Sequence, residues 1–289
     1  MKLLNYGSLN IDYVYGVPHI ARPGETISSA TFRTFAGGKG ANQSVALARA
    51  GAPVAHAGKV GPEGKWLAEK LTAYGVDTRF IRVGDSPSGH AIIQVDPAGE
   101  NAIVLFPGAN RLITREEIAE TMKSFSNGDI LLVQNETSEL PFLLEQGRRA
   151  GLRVCFNPAP FGEEVRSFPL ESVDILIVNR TEGEGLSSES EPDGILRALS
   201  SRLPRSRIIL TLGANGVLCA EQGQTLSVPA HPAKAVDTTA AGDTFIGYYL
   251  AGLIRGEPTR KSIETACRAA ALCVSRPGAM DSIPEAREL

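Results

Sequence analysis

Short apolar runs alternate with longer amphipathic stretches over most of this chain, and that alternation predicts a fold class before any motif is read. Helices are predicted over residues 115–125, 139–150 and 192–202, and strands over 129–134, 153–157, 174–179 and 207–212. Toward the amino terminus, a buried strand over 3–8 precedes a helix of small residues over 44–50 that Gly51 ends. A strand over 54–60 and an amphipathic helix over 63–74 follow, with the single tryptophan, Trp66, packed on that helix. Past residue 212 the period changes to hairpin strands over 216–220 and 224–228, then to helices over 241–254 and 259–275. Strands that alternate with helices imply a mostly parallel sheet covered on both faces.

Two stretches break this rhythm. Residues 13–35 are rich in Pro, Gly, Thr and Ser, with short alternating pieces that read as one or two strands outside the main sheet. Residues 88–106 read as a hairpin, with strands over 91–95 and 102–106 around the turn Asp96-Pro97-Ala98-Gly99. Together they predict a small β-sheet lid inserted into a single α/β domain spanning residues 1–289. A lid excludes water, which matters where hydrolysis competes with transfer.

Composition narrows the function classes. The 289 residues are 43% hydrophobic and 21% charged, with a net charge of −3 and no basic block. Nucleic acid and anionic membranes are therefore not expected partners. Cys155, Cys219, Cys267 and Cys273 are scattered, without a CxxC pair or nearby histidines, so reduced thiols are expected. Glycine arrives at position 7, too early for a signal peptide, and no apolar run reaches the ~18 residues of a membrane span. A cytoplasmic location is expected.

Polar residues recur where the predicted strands end. Asn10 and Asp12 follow the first strand and are spaced to face one side of an extended segment. Gln134-Asn135-Glu136, Asn157-Pro158, Asn179-Arg180-Thr181-Glu182 and Thr211-Leu212-Gly213-Ala214-Asn215-Gly216 follow later ones. Any one of these is explained by a turn. All of them along one sheet edge favour a ligand site, since ligands gather at the carboxyl ends of parallel strands. Gly37-Gly38-Lys39-Gly40-Ala41-Asn42-Gln43 adds a glycine-rich segment that lets backbone approach a ligand. It is not a P-loop, because no Ser or Thr follows Lys39. Lys39 and Asn42 are spaced to share a helix face.

The most informative stretch is Val236-Asp237-Thr238-Thr239-Ala240-Ala241-Gly242-Asp243-Thr244-Phe245. A small-residue turn running into an apolar helix offers free N–H groups and the positive end of the dipole, a ready anion site. Asp243 is out of place in a pure anion binder. It is either a helix cap or a base that accepts a proton from a nucleophile attacking a phosphoryl group.

The glycine-rich segment 37–43, the stretch 237–245 and the spacing Asn179-x-x-Glu182 resemble the signatures of the ribokinase (PfkB) family of carbohydrate kinases. The order of these segments fits from Gly7 to Ser282. The resemblance implies a three-layer α/β/α sandwich with a small β lid. It implies ATP-dependent transfer of a phosphoryl group to a pentose primary hydroxyl, with D-ribose first. Deoxyribose, fructose, another sugar or a nucleoside are the alternatives. A non-catalytic sugar- or nucleotide-sensing protein on the same fold is the reading from a different class. Carried over residue by residue, Asn10, Asp12, Gly38, Lys39, Asn42 and Glu136 would hold the sugar, and Asp243 would be the base. The backbone of Ala240, Ala241 and Gly242 would hold the migrating charge. Asn179, the Thr211–Gly216 loop and Gly242 would contact ATP, and Cys267 would lie near the base. Magnesium would sit on the phosphates, reached from Glu182 through water. A monovalent cation, usually potassium, would be held by Asp237 and Thr239 with the carbonyls of Cys273, Arg276 and Gly278 and with Ser282. The family's dimers pair their lids, so Ile93, Val95 and Ile103 would pack either a second lid or the core.

Overall fold

A computed structural model describes residues 1–289. Its elements in chain order begin with β1 (Leu3–Tyr6), β2 (Asn10–Gly16), β3 (Thr31–Gly37), α1 (Lys39–Arg49), β4 (Ala55–Val60), α2 (Lys65–Ala73) and β5 (Asp77–Val83). Next come β6 (Gly89–Val95), β7 (Asn101–Phe106), α3 (Arg115–Met122), β8 (Ile130–Gln134), α4 (Leu140–Arg149), β9 (Arg153–Asn157) and β10 (Ile175–Asn179). The remainder is α5 (Arg180–Ser187), α6 (Pro192–Arg202), β11 (Arg207–Thr211), β12 (Val217–Glu221), β13 (Gln224–Val228), α7 (Ala241–Ile254) and α8 (Thr259–Val274).

The main sheet runs β13-β12-β11-β10-β9-β8-β1-β4-β5. From β5 to β11 every pairing is parallel, and β12 and β13 close one edge antiparallel. The unbroken burial of Ile130–Gln134 is what a strand covered on both faces requires. Alternation sorts its side chains. Ile130 and Leu132 join the core under α1, α2, α7 and α8, while Leu131 and Val133 join that under α3, α4, α5 and α6. The chain is thus a three-layer sandwich, as the alternation implied. No helix is long and apolar enough to cross a membrane.

The second sheet, in the order β3-β2-β6-β7, comes from the two irregular stretches. Its hairpin turn is fixed by Asp96, whose Oδ1 accepts from the amides of Ala98 at 2.9 Å and Glu100 at 3.0 Å. Asn10 and Asp12 belong to β2 itself rather than to a loop, and both side chains line one cavity.

Three elements depart from the sequence reading. β5 was not expected, because its residues Asp77-Thr78-Arg79-Phe80-Ile81-Arg82-Val83 are half-exposed at a sheet edge and carry little apolar signal. α5 was expected to be a turn. Two internal glycines weaken its helix signal, but Asn179 and Glu182 form a reciprocal capping box that starts it. α1 begins at Lys39, so the glycine-rich segment is largely its first turn. Gly40 is needed there by packing, since a Cβ would lie 2.4 Å from the Ser8 nitrogen.

α1 and α7 lie side by side in parallel. Asn42 meets Asp243, Ala46 meets Gly247, and the Ala50 carbonyl accepts from Arg255. A Cβ at Gly247 would fall 2.3 Å from that of Ala46 and 2.8 Å from the Leu47 nitrogen. Gly247→Val should therefore destabilise the fold by about 1–3 kcal/mol through overpacking, measured by urea unfolding. An unchanged midpoint would show that the two helices separate freely.

Candidate active site

The turn before α7 shows why small residues are placed there. Ala240 takes a left-handed backbone at φ 61, a conformation that costs an L-residue about 1–2 kcal/mol. It turns the chain so that Thr244 N bonds the Ala240 carbonyl at 2.8 Å and Ala241 N bonds that of Thr238 at 3.3 Å. The amides of Gly242 and Asp243 have no protein partner, as expected for an uncapped helix start. A Cβ on Gly242 would meet nothing within 4 Å. No neighbour in the chain demands glycine there, whereas a ligand lying against the backbone would.

Asp243 is the third residue of α7, not its cap. Its Oδ2 accepts from Asn42 Nδ2 at 3.0 Å and its Oδ1 from Gln43 Nε2 at 2.9 Å. At 8% exposure it is buried but still lines the cavity. The capping alternative therefore does not describe its side chain.

Around Asp243 lies a cavity of about 1690 Å³ between the sheet edge and one face of the lid. On one wall stand Asn10, Asp12, Gly38, Lys39, Asn42 and Glu136. Asn10 Oδ1 is fixed by Asn110 Nδ2 at 2.8 Å, and the Asn110 amide also bonds both backbone groups of Leu9. Glu136 Oε2 accepts from the Lys39 amide at 3.0 Å and from the Ser8 hydroxyl. Asn42 Oδ1 is buried without any hydrogen-bond partner in the chain.

Burial, and then the Glu136 carboxylate, push the Asp12 carboxyl up to about 7. Burial also raises Glu136, partly offset by Lys39, and raises Glu182. Burial alone would lower Lys39, but Asp243, Glu136 and Glu182 outweigh it and hold the ammonium above its usual range. Lys39 is thus the positive centre of an otherwise acidic pocket.

On the opposite wall, Asn179, Glu182 and Thr211 line the same cavity. Both Glu182 oxygens are engaged by Asn179, from its amide at 3.0 Å and its Nδ2 at 2.8 Å. After Thr211 and Leu212, residues Gly213, Ala214 and Asn215 form an exposed turn and Gly216 is buried with φ 88; none of these five lines the cavity. Cys267 is buried in the core on α8 and does not line it either.

The segments around Asp237 and residues 273–282 are tied together. Asp237 accepts from Thr239 N at 2.9 Å and Gly278 N at 3.0 Å, and Val236 N bonds the Val274 carbonyl at 2.7 Å. Burial opposes the Asp237 charge, but those bonds outweigh it and hold the carboxyl below its usual range. Ser282 Oγ is 3.2 Å from Cys273 Sγ, and Asp237, Thr239 and Gly278 line the cavity while Cys273, Arg276 and Ser282 lie outside its wall. Sequence reasoning gave no role to Gln43, Asn110 or Ser8, and placed Asn157 only among the strand-end polar residues, where it does line the cavity. Burial of a polar side chain is the signal that marks the first three, and burial is not visible in sequence.

An anion-ready helix start beside a carboxylate, facing a wall of polar side chains across a lidded cavity, suits a phosphotransfer enzyme. The sequence model described as pfkB family carbohydrate kinase matches residues 1–286. The chain belongs to the pfkB family of carbohydrate kinases. It is 34% identical to the ribokinase of Haemophilus influenzae over 98% of this chain and 95% of the relative. Among solved structures, the ribokinase of Cryptococcus neoformans in complex with ADP superposes with TM-score 0.85 at 36% identity, covering 99% of this chain and 98% of that one. The Arabidopsis thaliana ribokinase complexed with ribose and ATP superposes with TM-score 0.86 at 30% identity, over 99% and 96%.

The raised Asp12 carboxyl has a consequence for stability. A proton held more tightly in the fold than in the unfolded chain stabilises fully below pH 3.8, and that contribution is lost as pH rises through about 7. The ligand-free protein should therefore lose stability over that window relative to Asp12→Asn, seen in urea unfolding at stepped pH. A difference that does not change with pH would contradict the assignment.

Proposed function

We propose that this chain transfers the γ-phosphoryl group of ATP to the primary hydroxyl of D-ribose, giving ribose 5-phosphate and ADP. The observation that carries the reading is the Asp243 carboxylate, gripped by two amides beside the unpartnered N–H groups that open α7. The full-length similarity to ribokinases, including one complexed with ribose and ATP, supports ribose as the acceptor.

The loose transition state of phosphoryl transfer asks for alignment and charge neutralisation more than covalent chemistry. Asn10, Asp12, Gly38, Lys39, Asn42 and Glu136 hold the sugar hydroxyls, so that the primary one faces Asp243. Asp243 takes its proton late, as the phosphoryl group arrives. The backbone of Ala240, Ala241, Gly242 and Asp243 offsets the negative charge on that group. Asn179, Glu182 and the loop Thr211–Gly216 hold the nucleotide, with Cys267 behind the base. Magnesium on the phosphates would neutralise charge, and Glu182, whose two oxygens Asn179 engages, would reach it through water. Potassium would be held by Asp237, Thr239 and Ser282 with the carbonyls of Cys273, Arg276 and Gly278, on two segments that the Asp237–Gly278 bond ties together. Its task would be to stiffen the turn before α7.

Apolar lid residues such as Ile103, 57% exposed, suit a homodimer in which Ile93, Val95 and Ile103 meet a second lid. Four free, buried cysteines suit a reducing cytoplasm.

A coupled ADP-release assay over ribose, deoxyribose, fructose, adenosine and pseudouridine should give turnover with ribose first. Asp243→Asn should fold and bind ATP yet lose ~10² or more in kcat, and Gly242→Ala should fold normally but turn over slowly. No turnover with any acceptor would favour the non-catalytic sensor. In the same assay, replacing potassium by choline should slow the wild type, and Asp237→Ala should remove that difference. Equal rates in both salts would refute the cation site.

A further inference from the structure

We propose that Gln43 is a positioning residue for phosphoryl transfer, fixing the rotation of the Asp243 carboxylate from behind. The inference rests on the reading of Asp243 as the base.

Gln43 is 0% exposed and does not line the cavity, so it touches no ligand there. A glutamine at that depth costs free energy unless its polar atoms are paired. They are. Its Nε2 donates to Asp243 Oδ1 at 2.9 Å and to Asn157 Oδ1 at 3.2 Å, and its Oε1 accepts from Gln134 Nε2 at 2.7 Å. Gln134 Nε2 also donates to Asn5 Oδ1 at 2.9 Å, and Asn5 Nδ2 returns to α1 through the Gly40 carbonyl at 2.7 Å and Ser44 Oγ at 2.8 Å. Rotating the Gln43 amide by half a turn would set its NH₂ against the NH₂ of Gln134. The loop of bonds therefore allows one orientation, with the donor toward Asp243.

The need for such a device follows from the aspartate side chain. Its terminal torsion is broad and roughly two-fold, so an unsupported carboxylate rocks. Asn42 grips Oδ2 and Gln43 grips Oδ1 from successive positions on one helix end. With both oxygens held, the carboxylate keeps one rotation while it lines the cavity. Gln43 also joins Asp243 to the nucleotide wall, since Asn157 Nδ2 reaches Glu182 Oε2 at 3.4 Å. Hydrophobic side chains of similar length would fill the same volume without the desolvation cost, so shape alone does not account for an amide here.

A double-mutant cycle tests the proposal. Gln43→Met removes the donor and keeps the length. Gln43→Leu also removes the donor in an uncharged side chain of similar volume and guards against a Met variant that fails to fold. Either folded variant should lose about 10-fold or more in kcat, while the KM for the sugar changes by less than about 3-fold. Combined with Asp243→Asn, the second change should cost less than about 2-fold more, because both act through one group. A folded variant with wild-type kcat overturns the proposal, and so does a double mutant whose losses multiply. If the wild type turns over another acceptor and not ribose, the ribose assignment alone falls, and the cycle is run with that acceptor.

Discussion

The molecule depends on two parallel helices that begin at the same point. α1 and α7 are brought close by Ala46 against Gly247, where no side chain fits between them. Helices aligned this way set their dipoles side by side, which is unfavourable, and the buried contact of their small residues offsets the cost. The gain is positional. The first turn of one helix delivers Asn42 and Gln43 to the third residue of the other, Asp243. The α7 end faces the cavity with open N–H groups, where an anion is expected, whereas the first N–H groups of α1 are taken by Glu136 and Ser8.

The pocket's own charges explain why those helix ends matter. Asp12, Glu136 and Glu182 are all carboxyls whose ionisation burial opposes, and Lys39 is the cation that answers them. A nucleotide triphosphate adds negative charge to a space that already resists it. Fixed N–H dipoles and bound cations are the remaining means of balance, and they act most strongly where the lid excludes water. An Asp12 carboxyl poised near neutrality would then act as donor to a sugar hydroxyl in one form and acceptor in the other.

Much of this was legible in the sequence, and what was missed has physical causes. The parallel sheet was readable because buried strands such as Ile130–Gln134 are apolar throughout. The boundaries of α7 were readable because its small-residue turn gives way to an unbroken apolar run. β5 was not, since an exposed edge strand needs little hydrophobicity, and α5 was not, since Gly183 and Gly185 suppress its propensity while Asn179 and Glu182 start it. Leu212 to Gly216 and Cys267 lie outside the cavity, whereas Asn10, Asp12, Glu136, Asn179 and Glu182, which line it, were legible because chemistry at strand ends is visible in one dimension. The amides behind them were not, because Gln43, Gln134 and Asn5 are ordinary polar residues until packing brings them together across the sheet.

Helix capping separates the roles of the two walls. α5 and α7 both open onto the cavity, yet they treat their first N–H groups differently. Asn179 and Glu182 cap α5 with each other, which engages their two amides and both carboxylate oxygens of Glu182. α7 has no side-chain cap, spends strain on a left-handed Ala240, and places a glycine where nothing in the chain would crowd a Cβ. A capped helix start has fewer donors to offer a migrating anion than an open one. On the proposed reading the phosphoryl group in transit would lie at Gly242 and Asp243, with the α5 wall beside the part of the nucleotide that does not move.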